Sequence, residues 1–282
     1  MRTKEVQQGA DAGQDAQAVD QDAESAEKFY EYYAQESASD ATLERFGAIR
    51  DAMMRTLTRN GMPTEGLTVG DVGCGAGTQC LMWARDGHRV HGVDINDKLM
   101  ALGQKRAADE GLDIDLQVGT ATKLPWPDSF LDVCLVPELL EHVAEWEACL
   151  DEFARVLKPG GVVYLSTTNY LCPVQAEFNL PMYAWYPGFL KRRYEKLAFT
   201  TRPELANFAK YPAVNWFSMY SLGRSLRERG FGAVFDRFDI ADTDSKSAPA
   251  RLVFGAIRAV PPLRWLAHVG TPYTVAVSIK NA

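Results

Sequence analysis

The sequence predicts an α/β fold built on a parallel sheet, and three observations support this prediction. From Gly66 onward, short apolar runs alternate with segments of helical periodicity, the order typical of parallel strands joined by crossover helices. The chain has 282 residues, 46% of them hydrophobic, which is enough to bury a complete core of this kind. Three glycines at alternate positions follow the first apolar run, where a strand of such a sheet turns toward a ligand.

The chain begins with a segment that is rich in Ala, Gln and Asp and poor in large apolar side chains. Such a composition predicts a disordered acidic tail, which we place at residues 1–27. Apolar residues then recur at intervals of three and four in FYEYYAQE and LERFGAIRDAMMRTL. This helical period predicts a cap of one or two helices within residues 28–65, ahead of the first strand.

The predicted core of the sheet spans residues 66–169 and alternates strands with helices. Asn96 and Asp97 offer an N-cap to the second helix and Gly111 ends it, whereas the KPGG sequence at 158–161 predicts a turn that stops the third helix. The helices are expected at 78–86, 97–110 and 145–157. The strands are expected at 68–72, 89–93, 114–118, 131–136 and 161–167.

The character of the sequence changes over residues 170–220, a segment we call the insertion. It contains 13 of the 30 aromatic residues of the chain, together with five prolines. Rings and helix-breaking prolines in such number predict an irregular lid or substrate wall over an opening. Residues 221–282 should then complete the core, and for this part we expect a helix at 218–229, a strand at 233–240 and a final strand at 273–279.

The net charge, the cysteines and the apolar stretches indicate which partners, metals and cellular location to expect. The net charge of -7 gives no broad positive field, so we expect no nucleic-acid partner. The five cysteines are widely spread without a C-x-x-C pair, which favours buried thiols over disulfides or a zinc site, and we expect no metal. The sequence lacks an uninterrupted apolar stretch of about 18 residues and a secretory signal core, so we expect a cytoplasmic protein.

The sequence VGDVGCGAGTQ at 69–79 raises the question of which ligand the glycines hold. Gly73, Gly75 and Gly77, which we call the glycine turn, allow positive φ and a close approach of a ligand to the backbone. Asp94 ends the second strand, where a carboxylate can accept both hydroxyls of a ribose. Asp71 precedes the turn, where its charge disfavours a pyrophosphate and suits a cation. The alternative for both carboxylates is helix or turn capping.

Four stretches resemble the successive motifs of class I S-adenosylmethionine-dependent methyltransferases, in the branch that includes the quinone-biosynthesis O-methyltransferases. They are VGDVGCGAGTQ, HRVHGVDIN, LQVGTATKLPWPDSFLDVCLVPELLEHV and FARVLKPGGVVYLSTTN, and together they cover about residues 66–170. The resemblance implies a Rossmann-like sheet with helices on both faces and a final antiparallel strand. It also implies S-adenosylmethionine as the cofactor and a small molecule, such as an aromatic, quinone-like or lipid-like compound, as the methyl acceptor.

The resemblance assigns cofactor contacts to particular residues. It implies that Gly73, Gly75 and Gly77 lie beside the methionine part of the cofactor, and that Asp71 lies where the amino group is held. Asp94 would accept hydrogen bonds from the ribose hydroxyls, with Ile95 against the adenine.

The later motifs supply the remaining contacts. Thr120 and Ala121 occupy the place of a Gly-Asp-Ala motif in many relatives, and Thr120 replaces the aspartate that contacts the adenine amino group there. Val136 and Pro137 fall at the end of the fourth strand, which the resemblance places next to the sulfonium.

A phenolic acceptor gains from a base that removes its proton, and the sequence offers His142, with Glu141 or Glu138 as second choices. The alternative is a structural histidine and transfer by alignment alone. The sequence KRR at 191–193 is interpreted as a solvated basic turn. A substrate wall is expected from aromatic residues, unless they merely pack on one another: Tyr183, Trp185, Tyr186, Tyr194, Trp216 and Tyr220.

Residues 251–269 are apolar with three interspersed arginines, which suggests contact with a membrane surface or, as the alternative, two helices packed on the sheet. Other functions remain open at this point. They are methyl transfer to nitrogen, carbon, or a sugar or lipid head group, a nucleotide-sugar or NAD-type enzyme, and a non-catalytic nucleotide-binding module.

Overall fold

The computed structural model describes residues 34–282 except Phe208 and Lys210. The predicted acidic tail at 1–27 and the start of the predicted cap lie outside these residues. The strands are β1 (Thr68–Val72), β2 (Arg89–Asp94), β3 (Ile114–Val118), β4 (Leu131–Pro137), β5 (Leu157–Thr168), β6 (Phe231–Asp236) and β7 (Tyr273–Lys280).

These strands form one sheet in the order β3-β2-β1-β4-β5-β7-β6. The pairs among β1 to β5 are parallel, and β7 runs antiparallel to both β5 and β6. The predicted fold class is therefore confirmed: the sheet is mostly parallel and its last strand is antiparallel.

Helices lie before, between and after the strands. Ser39 and Asn96 cap the first and third of them by accepting the backbone N–H of Thr42 and Leu99, so the predicted cap at Asn96 is present. The helices are α1 (Asp40–Arg59), α2 (Thr78–Arg85), α3 (Asp97–Asp109), α4 (Trp146–Val156), α5 (Gly188–Thr200), α6 (Met219–Glu228), α7 (Arg237–Ile240), α8 (Ala248–Ala259) and α9 (Pro261–Val269).

Both faces of the sheet are buried at its centre. Successive side chains of β4 point to opposite faces, so Val133 and Leu135 pack with α1 and α2, while Cys134 and Val136 pack with α4 and α6. None of these four side chains is exposed. This two-sided burial explains why the central strands are continuous apolar runs, and it leaves the strand ends as the accessible part of the sheet.

Three sequence predictions about the fold are wrong in detail. The KPGG sequence does not form a separate turn, because 158–161 belongs to β5, where Gly160 adopts φ +80° and the pairing with β4 is irregular. The strand expected at 233–240 ends at Asp236, whose carboxylate accepts the N–H groups of Phe238 and Asp239 and starts α7. The insertion is not wholly irregular, because it contains α5 and a small hydrophobic cluster of its own.

Candidate functional site

The glycine turn lies where the strand order reverses, since β1 is flanked by β2 on one side and β4 on the other. Crevices at such points bind ligands in α/β sheets. Gly73, Gly75 and Gly77 have φ values of +78°, +52° and +71°, and Gly77 precedes α2. A Cβ atom at Gly75 would meet no described atom within 4 Å, so the backbone is open on that side. The turn therefore has the conformation that the sequence predicts, and a ligand can approach it.

Asp94 connects the end of β2 to the glycine turn. Its Oδ2 accepts the Gly75 N–H at 2.9 Å and its Oδ1 accepts the Asn96 N–H at 2.8 Å. The N-cap of α3 is Asn96, so Asp94 is not the helix cap. Each carboxylate oxygen has a second lone pair, which leaves Asp94 able to accept two further hydrogen bonds from a ligand.

Asp71 lies beneath the turn and is 2% exposed. The Cys80 Sγ donates to its Oδ2 at 3.5 Å, whereas its Oδ1 has no hydrogen-bond partner among the described residues. Burial raises the pKa of Asp71 to about 7. The amide of Gln79, also buried, has no described partner either. Asp71 does not cap α2, whose N-cap is Gly77 with no side-chain bond.

Apolar side chains are exposed beside Asp94. Ile95 is 56% exposed, and Val118, which pairs with Asp94 across β2 and β3, is 61% exposed. Thr120 is also exposed and its hydroxyl contacts the Thr122 hydroxyl at 2.9 Å, while Ala121 is buried. Val118 was not among the predicted site residues, because a valine at the end of a strand pattern gives no sign in the sequence of whether it is exposed.

A strap formed by residues 34–45 runs from α3 past the glycine turn to the end of β4. Arg106 donates to the Ser37 Oγ at 3.0 Å and to the Ala34 carbonyl at 2.9 Å. The Thr78 hydroxyl donates to the Ser37 carbonyl at 2.6 Å. At the far end, Arg45 pairs with Glu138 at 2.5 Å. These contacts could not be predicted from the sequence, because each joins residues more than 40 positions apart.

The two residues predicted to lie next to the sulfonium differ in exposure at the end of β4. Val136 is fully buried in the core, so only its backbone faces the strand ends, whereas Pro137 is half-buried. Glu138 follows with φ +52°, a conformation that non-glycine residues rarely adopt, and its N–H donates to the Ser166 carbonyl of β5. This bend directs the chain across the ends of β4 and β5.

Glu141 is fully buried behind this bend. The Thr167 hydroxyl donates to its Oε2 at 2.9 Å, while its Oε1 has no described partner. Burial, with the charges of Glu177 and Glu138, raises the pKa of Glu141 to about 8. In the described part of the chain, no group of three or more His, Cys, Asp or Glu residues is arranged to hold a metal ion.

His142 is half-buried next to Glu141. Burial lowers the pKa of His142, partly offset by hydrogen bonding to the backbone of Tyr211 and Pro212. Its Nδ1 has no described partner. These surroundings resemble those of a structural histidine, and its role as a base stays a prediction.

The aromatic residues of the insertion pack mainly on one another. Tyr183 is fully buried, stacks on Phe178 with centroids 4.1 Å apart, and contacts Tyr186, Tyr194 and Trp216. This arrangement favours mutual packing of the rings over a substrate wall. Trp185 and Tyr220 differ from the others in being about half exposed.

The basic segment 191–193 is not a solvated turn, because it lies within α5. The Lys191 Nζ lies over the Trp216 ring, 4.5 Å from its centroid, and burial lowers the pKa of Lys191 to about 8.

Parts of the chain are similar to proteins of known family. Residues 70–165 match the family model described as a methyltransferase domain. A ubiquinone biosynthesis O-methyltransferase of Caulobacter vibrioides is 36% identical over 153 residues, which cover 51% of this chain and 60% of that protein. A protein of the same name from Rhizobium etli is 31% identical over 176 residues, covering 57% of this chain and 68% of that one.

The chain spans about three-fifths of the length of the first curated relatives it matches. Among solved structures, the PH0226 protein of Pyrococcus horikoshii shares the fold with a TM-score of 0.54 at 17% identity, covering 87% of this chain and 93% of that one. Sequence motifs, sheet order and the match to the Rhizobium relative agree with one another. The chain therefore belongs to the family of class I S-adenosylmethionine-dependent methyltransferases.

Proposed function

We propose that this protein transfers a methyl group from S-adenosylmethionine to an oxygen of a small aromatic, quinone-like or lipid-like acceptor. The observation that carries the proposal is the arrangement around Asp94, which offers free acceptor capacity between the open glycine turn and the exposed Ile95 and Val118. This combination suits a ribose flanked by an adenine. The choice of oxygen is supported by the relatives, which are named O-methyltransferases.

The described residues fit the cofactor at its amino-acid end as well. Asp71 has a buried oxygen with no described partner, and burial disfavours its ionised form, which a nearby positive charge would stabilise. An ammonium group near the glycine turn, held directly or through water, would supply this charge. When bound, the cofactor supplies an electrophilic methyl group on a positively charged sulfur. The residues of this chain would align the acceptor and exclude water.

An NAD-type ligand fits less well. The carboxyl group of Asp71 lies under the turn that would hold the pyrophosphate, and a pyrophosphate there would disfavour its ionised form further, whereas an ammonium group would stabilise that form. Position 78, where a dinucleotide fold would prefer glycine, is Thr78, and its hydroxyl is engaged by the strap.

Isothermal titration calorimetry tests the ligand directly. We expect S-adenosylmethionine and S-adenosylhomocysteine to bind with micromolar affinity, and NAD to give no heat above dilution. S-adenosylhomocysteine is the matched control for the sulfonium, because it keeps the ribose, adenine and amino-acid groups. Binding of NAD in place of both adenosyl compounds would reject the proposed function. Methyl-labelled S-adenosylmethionine with a metabolite extract would then identify the acceptor.

We also propose that the protein contacts a membrane surface through residues 251–269. Leu252 is 77% exposed, and α8 and α9 further expose Val253, Leu263, Trp265 and Leu266. Residues 245–282 contain no Asp or Glu, although the chain as a whole is acidic. Arg264 is paired with Asp236 and Asp239, so Arg251 and Arg258 supply the positive charge of this helix pair. An apolar, cationic helix pair with an exposed Trp is typical of binding at an anionic lipid interface. Within the described residues no helix is long and apolar enough to cross a bilayer.

Vesicle sedimentation tests this contact. We expect the protein to sediment with phosphatidylglycerol vesicles more than with phosphatidylcholine vesicles, and the bound fraction to fall as salt is added. The double substitution Leu252→Gln and Leu266→Gln should weaken binding about tenfold or more, because two leucines no longer enter the lipid. Val174→Gln, at an exposed position in the insertion, is the control. Equal binding of wild type and double variant, or salt-stable dimerisation through this face, would contradict the proposal.

A further inference from the structure

The sulfur atoms of two of the five free cysteines lie together at the glycine turn. A Cβ atom built on Gly92, within β2, would lie 2.8 Å from the Cys74 Sγ and 3.0 Å from the Cys80 Sγ. Both sulfur atoms therefore share the space that a side chain at position 92 would need. Cys74 lies between the first two glycines of the turn, whereas Cys80 lies in the first turn of α2. The two thiols thus meet across the turn that the cofactor is expected to contact.

Each thiol also contacts a second group. The fully buried Cys80 donates from its Sγ to the Asp71 Oδ2 at 3.5 Å, whereas the Asp71 Oδ1 has no described partner. Cys74 is only half-buried, and its Sγ contacts the Met100 Sδ at 3.6 Å. Burial raises the pKa of Asp71, and the bond from Cys80 partly offsets this rise. The Cys80 thiol therefore stabilises the charged form of the carboxyl group beneath the turn.

The two cysteines differ in the way a redox pair requires. Cys74 is the more exposed of the two and lies in the turn that a small molecule can approach, so an oxidant meets it first. A hydrogen bond with Cys80 lowers the pKa of Cys74, although burial raises it further, to above its ordinary value. The same hydrogen bond and burial raise the pKa of Cys80. Cys74 is therefore the thiol that reacts first, slowly at neutral pH, and Cys80 is the thiol that reacts second.

We propose that Cys74 and Cys80 form a reversible disulfide in the presence of a peroxide, and that this disulfide weakens cofactor binding. The second half of the proposal rests on the proposed function. Hydrogen peroxide oxidises the Cys74 thiol to a sulfenic acid as its O–O bond breaks, and one water leaves. The Cys80 sulfur then attacks the sulfenic sulfur, and the hydroxyl group leaves with the Cys80 proton as a second water. Two electrons pass from the two thiols to the peroxide.

The disulfide changes the site in two ways. It removes the S–H group that donates to Asp71, so the ionised form of this buried carboxyl group is disfavoured further and binds an ammonium group less well. It also joins the glycine turn covalently to the first turn of α2, which restricts the backbone that must fit the ligand. Because coupling between two binding or reaction events is reciprocal, a bound cofactor must in turn favour the reduced thiols.

Peptide mapping of the full chain tests whether the disulfide forms. The protein is treated with hydrogen peroxide, blocked with N-ethylmaleimide and digested with trypsin, which releases residues 60–85 with both cysteines in one peptide. We expect this peptide to lose two hydrogen atoms and to take up no maleimide. Dithiothreitol should reverse the change, which separates a disulfide from methionine sulfoxide. The rate should rise between pH 7 and pH 9, because the pKa of Cys74 lies above its ordinary value.

Three variants accompany the mapping. Cys80→Ser keeps a hydroxyl donor beside Asp71 but cannot form the bond, and Cys74→Ser is a second variant at a less buried position. In both, the peptide should take up one maleimide and lose no hydrogen atoms. Cys172→Ser, at a buried cysteine of the insertion, is the matched control and should form the disulfide as the wild type does.

Calorimetry tests the effect on the cofactor. We expect the oxidised wild type to bind S-adenosylmethionine about tenfold or more weakly than the reduced protein, because a hydrogen bond to a charged group is lost. Dithiothreitol should restore the affinity, and peroxide should not change the affinity of Cys80→Ser. A tenfold effect requires saturating S-adenosylhomocysteine to raise the reduction potential of the pair by about 30 mV, which titration in glutathione buffers measures.

The outcomes separate this proposal from the proposed function. A wild-type peptide that keeps two reactive thiols after peroxide treatment would overturn the thiol pair. A disulfide that leaves the affinity for S-adenosylmethionine unchanged would overturn its effect on the cofactor. Reduced protein that does not bind S-adenosylmethionine would reject the proposed function, whereas the mapping result would still decide whether the disulfide forms.

Discussion

Asp94→Ala is expected to weaken S-adenosylmethionine binding by about 100-fold or more while the protein remains folded. The substitution removes acceptors for two ribose hydroxyls, and hydrogen bonds to a charged group contribute roughly 1.5–3 kcal/mol each. It also removes the bond from the Gly75 N–H that closes the glycine turn. A loss of about 3 kcal/mol corresponds to about two orders of magnitude in Kd, which calorimetry measures directly.

Two companion variants separate these effects. Asp94→Asn keeps one acceptor oxygen and the shape of the side chain, so an intermediate loss of affinity is expected. Asp97→Ala, at an exposed position in the first turn of α3, should bind the cofactor as tightly as the wild type. An affinity of Asp94→Ala within threefold of the wild type would remove Asp94 from the binding site.

Asp71→Asn should increase stability at alkaline pH and at the same time weaken cofactor binding. The pKa of Asp71 in the folded state, about 7, lies above its ordinary value of 3.8. The folded state therefore binds more protons than the unfolded state between about pH 4 and 7, and the free energy of unfolding falls as pH rises through this window. Asparagine does not ionise, so the free energy of unfolding of the variant should not fall in this way as pH rises.

The expected gain is on the order of 2–4 kcal/mol at pH 8, with little difference near pH 4.5. Urea unfolding at both pH values measures it. Glu141 and Glu177 also titrate near neutrality, so only the difference between wild type and variant reports on Asp71. Asp109→Asn, an exposed aspartate on α3, is the control and should show no such pH-dependent gain. Equal stability of Asp71→Asn and wild type at pH 8 would contradict the ionisation of a buried carboxyl group.

The parts of the fold that depend on local pattern could be predicted from the sequence. The bounds of β1 and β3 agree with the expected strands, since each is a short apolar or alternating run with turn signals on both sides. The partners of Asp236 at the end of β6 could not be predicted, because Arg264 at 2.7 Å and His268 at 2.8 Å lie about 30 residues further on. Such long-range partners leave no signal in the local sequence.

The candidate site also contains features that follow from local motifs and features that depend on long-range contacts. The glycine turn and Asp94 belong to short motifs, so their positions follow from spacing within one strand–turn–helix unit. The link between Arg45 and Glu138 joins residues 93 positions apart, which no local motif reveals. Which carboxyl groups are buried, and which of their oxygens have no described partner, depends on the packed structure and not on the local sequence.

The position of β7 in the sheet has a consequence for how the chain folds. The last strand in sequence is inserted between β5 and β6, and Val162 pairs with Ile279 across 117 positions. Among the described strands, β6 pairs only with β7. The backbone groups of β6, and those on the outer edge of β5, therefore have no strand to pair with until β7 is in place. Contacts of such long range form slowly. During synthesis on the ribosome, the five-stranded part of the sheet would expose an open edge until β7 emerges, and loss of β7 would leave that edge free to pair with other chains.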